Sequence, residues 1–203
     1  LASTTGGPET GLIRQMTVSL SNQLGMPSCA HGHTSSTSLD YQAAAEKMLN
    51  GLLIALARPS LLGGLGGLAN ATLTSYESIL IDNEGYGAIF RTLAGVQVDK
   101  DHLAFDTLHD LADSGDVLTN EHTLRYLRSN EVWAPQLAVR QGLVGGTTVS
   151  EGSIGRARAQ TRRLLDMHTV EPLERNTQLE VNSILDSYDR SNAAGLRTYR
   201  ASL

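Results

Sequence analysis

The sequence predicts an α/β fold made of short parallel βα units and completed by a helical C-terminal region. Three observations predict it. Short strand-like runs at 26–31 and 60–63 are each followed by a loop of small residues and then by a long helical pattern. A polar stretch rich in Arg and Glu runs from about 150 to 189. With 203 residues, one medium domain is the natural size. A closed eightfold barrel typically takes ~250 residues, so the alternatives are a small open α/β domain with a helical tail and part of a barrel.

The elements follow in order. Pro8-Glu9-Thr10 opens an amphipathic helix carrying Leu12, Ile13, Met16, Val18, Leu20 and Leu24, and Gly25 ends it, as expected for Pro at the start of a helix and Gly past its end. Met26 to His31 is too short for a helix and reads as a strand. Ser38-Leu39-Asp40 opens a second helix, apolar nearly all round and therefore expected to be buried on most sides, which Arg58-Pro59 ends. Ser60-Leu61-Leu62-Gly63 reads as a second strand, followed by a glycine-rich loop through Ala71. A long helix is expected from about Thr74 to Ala94, with Gly85 and Gly87 as candidate breaks. Asp99 or Asp101 caps a helix carrying Leu103, Ala104, Leu108 and Leu111, and Thr119 or Asn120 caps one carrying Leu124 and Leu127. The last region is helical and interrupted at Pro172.

Composition narrows the function classes. The 16 basic and 21 acidic residues give a net charge of −5 with no basic block, which disfavours a nucleic-acid groove. No run approaches the ~20 apolar residues of a membrane-spanning helix, and no surface anchor is indicated. The single Cys29 cannot pair within the chain, and no signal pattern opens it, so a cytoplasmic setting is expected. There the sequon Asn70-Ala71-Thr72 carries no meaning. Leu1 stands where a Met would begin a gene product and reads as an internal position. One Trp, two Phe and six Tyr leave Leu, Ala, Val and Ile to fill the core.

The densest chemical cluster is Cys29-Ala30-His31-Gly32-His33, followed by five hydroxyl residues from Thr34 to Ser38. On a strand, period two places Cys29, His31 and His33 on one face, where they could hold zinc with an open fourth position. The simpler reading, a pocket or turn without metal, is favoured because short motifs often match by chance. His31 is also the one candidate base beside a Cys29 thiol. Gly64-Leu65-Gly66-Gly67-Leu68-Ala69 satisfies G-x-G-x-x-G/A, yet no helix opens directly after it and Asp82 is too close to serve as the ribose acid. A loop that must approach a ligand or a neighbouring loop explains it better. Tyr76 and Glu77 lie at the start of the long helix, where a carboxylate is favoured by the dipole; Glu77 is read first as capping. Asp82 and Glu84 are read as solvated acids, and His102, His109, His122 and His168, each isolated in sequence, as structural or exposed rather than catalytic. No nucleophile elbow, P-loop or C-x-x-C is present.

Taken together, several blocks resemble one family. They are Gly25-Met26-Pro27-Ser28, Gly32-His33-Thr34-Ser35, and Asp40-Tyr41-Gln42-Ala43 with Glu46-Lys47. Next come Leu73-Thr74-Ser75-Tyr76-Glu77 with Ile81-Asp82 and Glu84, then Leu118 to Leu124 with Arg128-Ser129-Asn130-Glu131 and Pro135. The series ends at His168-Thr169-Val170-Glu171-Pro172-Leu173. In this order they resemble the trimethylamine methyltransferase superfamily, over almost the whole chain from about Pro8.

The resemblance implies a TIM (β/α)8 barrel enzyme that moves a methyl group from a methylated amine to the cobalt of a separate corrinoid protein. Family members are much longer, so residues 1–203 are expected to be the C-terminal part of a single barrel domain, a partial barrel with its C-terminal βα units and a helical C-terminal region. Trimethylamine-specific members carry pyrrolysine at the position matching His33. The non-pyrrolysine branch, similar to glycine betaine methyltransferases, is therefore the closer analogue. Relatives also carry an acidic and basic pair where this chain has Ser35-Ser36-Thr37.

On this reading His33 is the catalytic candidate, and His31, Tyr76, Glu77 and Asn70 are the substrate-binding candidates for a small quaternary or tertiary amine. A quaternary ammonium is attracted to aromatic faces by roughly 0.5–2 kcal/mol each, yet only Tyr76 and Tyr41 lie near the strand-end loops, so a full cage would draw on residues outside this chain. His31 and His33 could instead hold a substrate carboxylate. No cofactor is expected to bind directly; cobalamin is carried by the cognate corrinoid protein. A homo-oligomer is compatible with this. The competing readings are a zinc-dependent TIM-barrel hydrolase using Cys29, His31 and His33, and a non-catalytic amine-binding homologue.

Overall fold

The structure is a computed structural model that describes residues 5–129, 131–140 and 152–201. It is helix-rich, about 60% helix and 6% strand, so helix packing rather than a broad sheet positions the site. The chain divides into a unit Leu1–Leu164 and a unit Leu165–Leu203.

Helix α1 (Pro8–Gln23) takes Pro8 in its first turn, and Gly25 follows its end at φ 66°, as the sequence indicates. Strand β1 (Cys29–His31) pairs in parallel with β2 (Leu61–Gly63), Cys29 opposite Leu61 and His31 opposite Gly63. A parallel pair needs a crossover, and α2 (Tyr41–Leu56) supplies it, capped by the Asp40 carboxylate that accepts from the Ala43 amide.

The loop expected after β2 contains a small antiparallel hairpin. Strands β3 (Gly67–Leu68) and β4 (Leu73–Thr74) flank a 3-10 turn, Ala69–Ala71. Two-residue strands are too short to leave an alternating signature in sequence. Helix α3 (Tyr76–Leu93) starts at a Ser75 cap. Among the described residues the βα units therefore number two, β1 with α2 and β2 with α3.

Gly85 and Gly87 do not break α3. A Cβ at Gly85 would sit 2.7 Å from Met48 Sδ, and one at Gly87 would sit 3.2 Å from Trp133 Nε1. These glycines admit α2 and Trp133 against the helix instead. Two further expectations are corrected. The helix expected after Asp99 is two helices, α4 (Lys100–Leu103) and α5 (Phe105–Ser114), because Ala104 between them adopts φ 48° and ψ 37°. Also, α2 is not buried on most sides: Ala43, Lys47, Asn50, Gly51, Ile54 and Ala55 face inward, while Leu49 and Leu56 stay exposed.

Asn120 caps α6 (Glu121–Leu127) by accepting from the His122 amide. Helix α7 (Ser153–Met167) and, in the second unit, α8 (Arg175–Ala201) form the helical end, with Pro172 between them. Ser150, where that region was expected to begin, lies outside the described residues. No helix among the described residues is long and apolar enough to cross a membrane.

Two apolar clusters hold the first unit together. Val18, Ala30 and Ile54 join α1, β1 and α2, and Ala55, Tyr86 and Ile89 join α2 to α3. Leu62 of β2 packs against both, so the parallel pair is clamped from two sides. Ile54 is fully buried, a gain of about 1.5–3 kcal/mol relative to exposure.

Candidate functional site

The site is built at the end of β1. The ladder stops at His31, yet the chain stays extended enough for His31 and His33 to lie on one side. Their rings stack with centroids 5.4 Å apart and planes within 7°, and Cys29 Sγ lies 3.5 Å from His31 Nε2. Period two thus predicts this juxtaposition correctly. Among the described residues no group of three His, Cys, Asp or Glu side chains converges as a metal site, so the zinc reading gains nothing from the geometry.

His31 is exposed, whereas His33 is half-buried with its Nδ1 buried and without a hydrogen-bond partner. Burial, then the nearby Arg14 and Lys47 cations, lowers the His33 pKa from its ordinary value, so this imidazole is neutral at neutral pH. Arg14 of α1 donates to the His31 carbonyl, and Asn50 Nδ2 of α2 donates to the carbonyls of Gly6 and, at 3.4 Å, His33.

The glycine-rich loop closes over these rings, as a loop making a close approach would. A Cβ at Gly63 would lie 2.9 Å from His31 Nδ1, and one at Gly67 would lie 3.4 Å from His33 Nδ1. Two residues of α3 hold the loop there. Tyr86 donates its hydroxyl to the Gly63 carbonyl at 2.7 Å, and Asp82 Oδ2 accepts from the Gly66 amide at 2.7 Å.

The hydroxyl run after His33 is bound into the fold. Thr34 Oγ1 and the Ser35 amide donate to Glu46 Oε2 at 2.6 and 2.7 Å, and Ser36 Oγ donates to the Asp40 carboxylate. Asn70 is joined to the same run: its Oδ1 accepts from Ser35 Oγ and from the amide and hydroxyl of Thr5. That oxygen is therefore engaged with the protein itself, and Asn70 reaches it from a left-handed conformation, φ 56°.

Tyr76 and Glu77 stand at the start of α3. Tyr76 is exposed, and Glu77 accepts from Ser75 Oγ at 2.7 Å and faces Arg158 Nε at 3.8 Å. The Ser75 hydrogen bond holds the Glu77 carboxyl below its ordinary range, which fits the capping reading.

Two acids read as solvated are not. Glu84 accepts from the amides of Gln136, Leu137 and Ala138. Asp82 is buried against Lys47 of α2, Nζ to Oδ2 2.7 Å. The missed signal is spacing on α3: Ser78, Asp82, Tyr86 and Ile89, all buried, recur at helical intervals and mark one inward face. His102 and His122, isolated in sequence, both pack against Tyr126, at centroid distances of 4.8 and 4.6 Å, a structural role.

A cleft of about 290 Å³ lies between α2, α3 and the start of α7, lined by Tyr41, Ala44, Lys47, Ile81, Asp82 and Ile154. A second, about 200 Å³, adjoins it at Met48, Tyr86 and Leu137. Neither is lined by His31 or His33. The two histidines and this cleft are thus separate features, linked through Asp82, which lines the cleft and holds the loop at Gly66.

The family model for trimethylamine methyltransferase matches residues 2–190. The chain is 27% identical over 183 residues to a trimethylamine methyltransferase of Desulfitobacterium hafniense, covering 89% of this chain and 36% of that protein. It is 28% identical over 190 residues to one from Methanosarcina mazei, covering 92% and 38%. It is 27% identical over 192 residues to one from Methanosarcina barkeri, again covering 92% and 38%. The chain thus spans 36–38% of the length of these curated relatives.

Proposed function

Since the chain belongs to the trimethylamine methyltransferase family, we propose that it serves a methyltransferase that moves a methyl group from a small quaternary or tertiary amine, betaine-like by preference, to a corrinoid carried on a partner protein. Residues 1–203 are read as the C-terminal part of one barrel domain, with β1, α2, β2 and α3 as two of its βα units. Catalytic groups of such barrels sit at the C-terminal ends of strands, which is where His33 follows β1. A cytoplasmic setting belongs to the same reading.

The residue-level support is His33. Its ring is neutral at neutral pH, so it does not repel an ammonium brought against it, and its buried Nδ1 lacks a partner. With His31 stacked beside it, the pair can offer N–H groups to a substrate carboxylate. That favours a betaine over a simple amine, in keeping with His33 standing where trimethylamine-specific members carry pyrrolysine.

The chemistry asks little of the protein beyond placement. Breaking the C–N bond of a quaternary ammonium leaves the electron pair on nitrogen and releases a neutral tertiary amine, so no general acid is required. The methyl carbon accepts an electron pair from the acceptor, which the corrinoid's reduced cobalt supplies when present. The chain's residues orient the methyl for in-line attack, a contribution of several kcal/mol when the geometry is held. The corrinoid is the second substrate here.

The test uses a polypeptide of the relatives' length carrying this sequence. Incubated with glycine betaine and a corrinoid protein reduced to Co(I), it should produce the methylated corrinoid spectrum. Failure with every quaternary and tertiary amine tried overturns the proposal.

A further inference from the structure

We propose that Asp82 is a positioning residue: by holding the Gly66 amide from α3, it sets the glycine-rich loop against His31 and His33 and so fixes where the His33 ring stands. The role rests on reading His33 as a site residue.

The geometry supplies the argument. One oxygen, Asp82 Oδ2, accepts from Lys47 Nζ at 2.7 Å, from the Gly66 amide at 2.7 Å and from Ser78 Oγ at 3.4 Å. Lys47 Nζ in turn donates to Ser78 Oγ at 2.7 Å. Lys47 and Asp82 side chains are each only 6% exposed, so water does not compete for these bonds. The carboxylate therefore joins three segments: α2 through Lys47, α3 through its own backbone, and the loop through Gly66.

The loop packs closely where Gly66 is held. Gly66 adopts φ 82°, and a Cβ there would lie 2.5 Å from Ile79 Cγ1. The next residue, Gly67, is the one whose Cβ position lies 3.4 Å from His33 Nδ1 and 3.8 Å from His33 Cε1. Tyr86, one helical turn beyond Asp82, fixes the other end at Gly63, the residue facing His31. Two anchors four residues apart on α3 thus fasten a four-residue loop across both rings.

An ion pair placed only for stability would not need its carboxylate to reach a loop amide. A buried pair can often be replaced by apolar residues at little cost to the fold, which separates the two roles experimentally. In Lys47→Met/Asp82→Asn the charges go but the acceptor for Gly66 stays. In Lys47→Met/Asp82→Leu both go.

Each variant, made in a polypeptide of the relatives' length carrying this sequence, is labelled for NMR and examined for the NOE between the His33 ring and the Gly67 Hα protons, for Gly66 amide exchange, and for the methyl signals of Val18, Ile54 and Ile89 as a check on the core. The Asn variant should keep the ring contact and a protected Gly66. The Leu variant should lose the contact and exchange Gly66 at least about 10-fold faster, with the core signals in place. A ring contact kept in the Leu variant, or lost in both, overturns the inference. Should the Leu variant not fold, Lys47→Met/Asp82→Ala replaces it with the same two outcomes. Because the readout is a ring contact and not methyl transfer, a negative result removes Asp82's role and leaves the function reading standing; an inactive enzyme with the contact intact does the reverse.

Discussion

Lys47 of α2 and Asp82 of α3, 35 residues apart in the chain, meet at 2.7 Å with both side chains 6% exposed. Burial pushes the Asp82 carboxyl up from its ordinary value, against the pull of Lys47, the Gly66 amide and Ser78. Truncating one partner leaves the other charge buried and alone. Lys47→Met is expected to cost about 3–5 kcal/mol in denaturant unfolding, and adding Asp82→Leu should return part of that loss. A double variant less stable than Lys47→Met would contradict this.

Ile54 reports on the core behind the site. It is fully buried and packs with Val18 and Ala30, so Ile54→Ala should cost about 2–5 kcal/mol. Leu49→Ala, on the exposed face of the same helix, should stay within about 0.5 kcal/mol. Equal losses in urea titrations would show that α2 buries a different face.

The loop allows a sharper test of backbone chemistry. Gly66→Ala would place a methyl at φ 82° and 2.5 Å from Ile79 Cγ1. The left-handed conformation alone costs roughly 1–2 kcal/mol, and the contact adds to it. Gly25→Ala, at φ 66° with nothing within 4 Å, should show the conformational cost without the contact. The two thermal shifts should therefore differ, and equal shifts would count against the close approach to α3.

A pH dependence follows from the cluster around Tyr126. His102 Nδ1 lies 2.8 Å from Asp99 Oδ1 and its Nε2 lies 3.5 Å from Glu131 Oε1, while Arg91 faces the same Glu131. The Asp99 hydrogen bond raises the His102 pKa above its ordinary 6.5, and bonding to His102 pushes Asp99 down to about 2. A raised histidine contributes stability that is full below its unfolded value and fades as pH rises through the folded one. A depressed carboxylate contributes above its unfolded value and loses that contribution as pH falls toward about 2. The chain should therefore lose stability relative to His102→Ala from about pH 6.5 upward. Parallel pH profiles for the two proteins would contradict the assignment.

Much of the local structure was legible because its signals are local. Pro8 and Gly25 bound α1, and Asp40, Asp99 and Asn120 cap the helices that follow them. The shared side of Cys29, His31 and His33 came from strand periodicity. What escaped the sequence depends on distant partners. Asp82 is buried only because Lys47 reaches it from α2, and Ala104 divides α4 from α5 by adopting a left-handed conformation that no glycine announces. Likewise, His102 and His122 gather around Tyr126 from two separate helices.

The central claim is that His33 stands where the methyl donor binds. In a polypeptide of the relatives' length carrying this sequence, the rate of methyl transfer from glycine betaine to a Co(I) corrinoid protein is measured for the parent and for His33→Ala. The account predicts transfer in the parent and a fall of about 10²-fold in the variant, the scale of a misplaced substrate. Transfer at an unchanged rate in His33→Ala would contradict it.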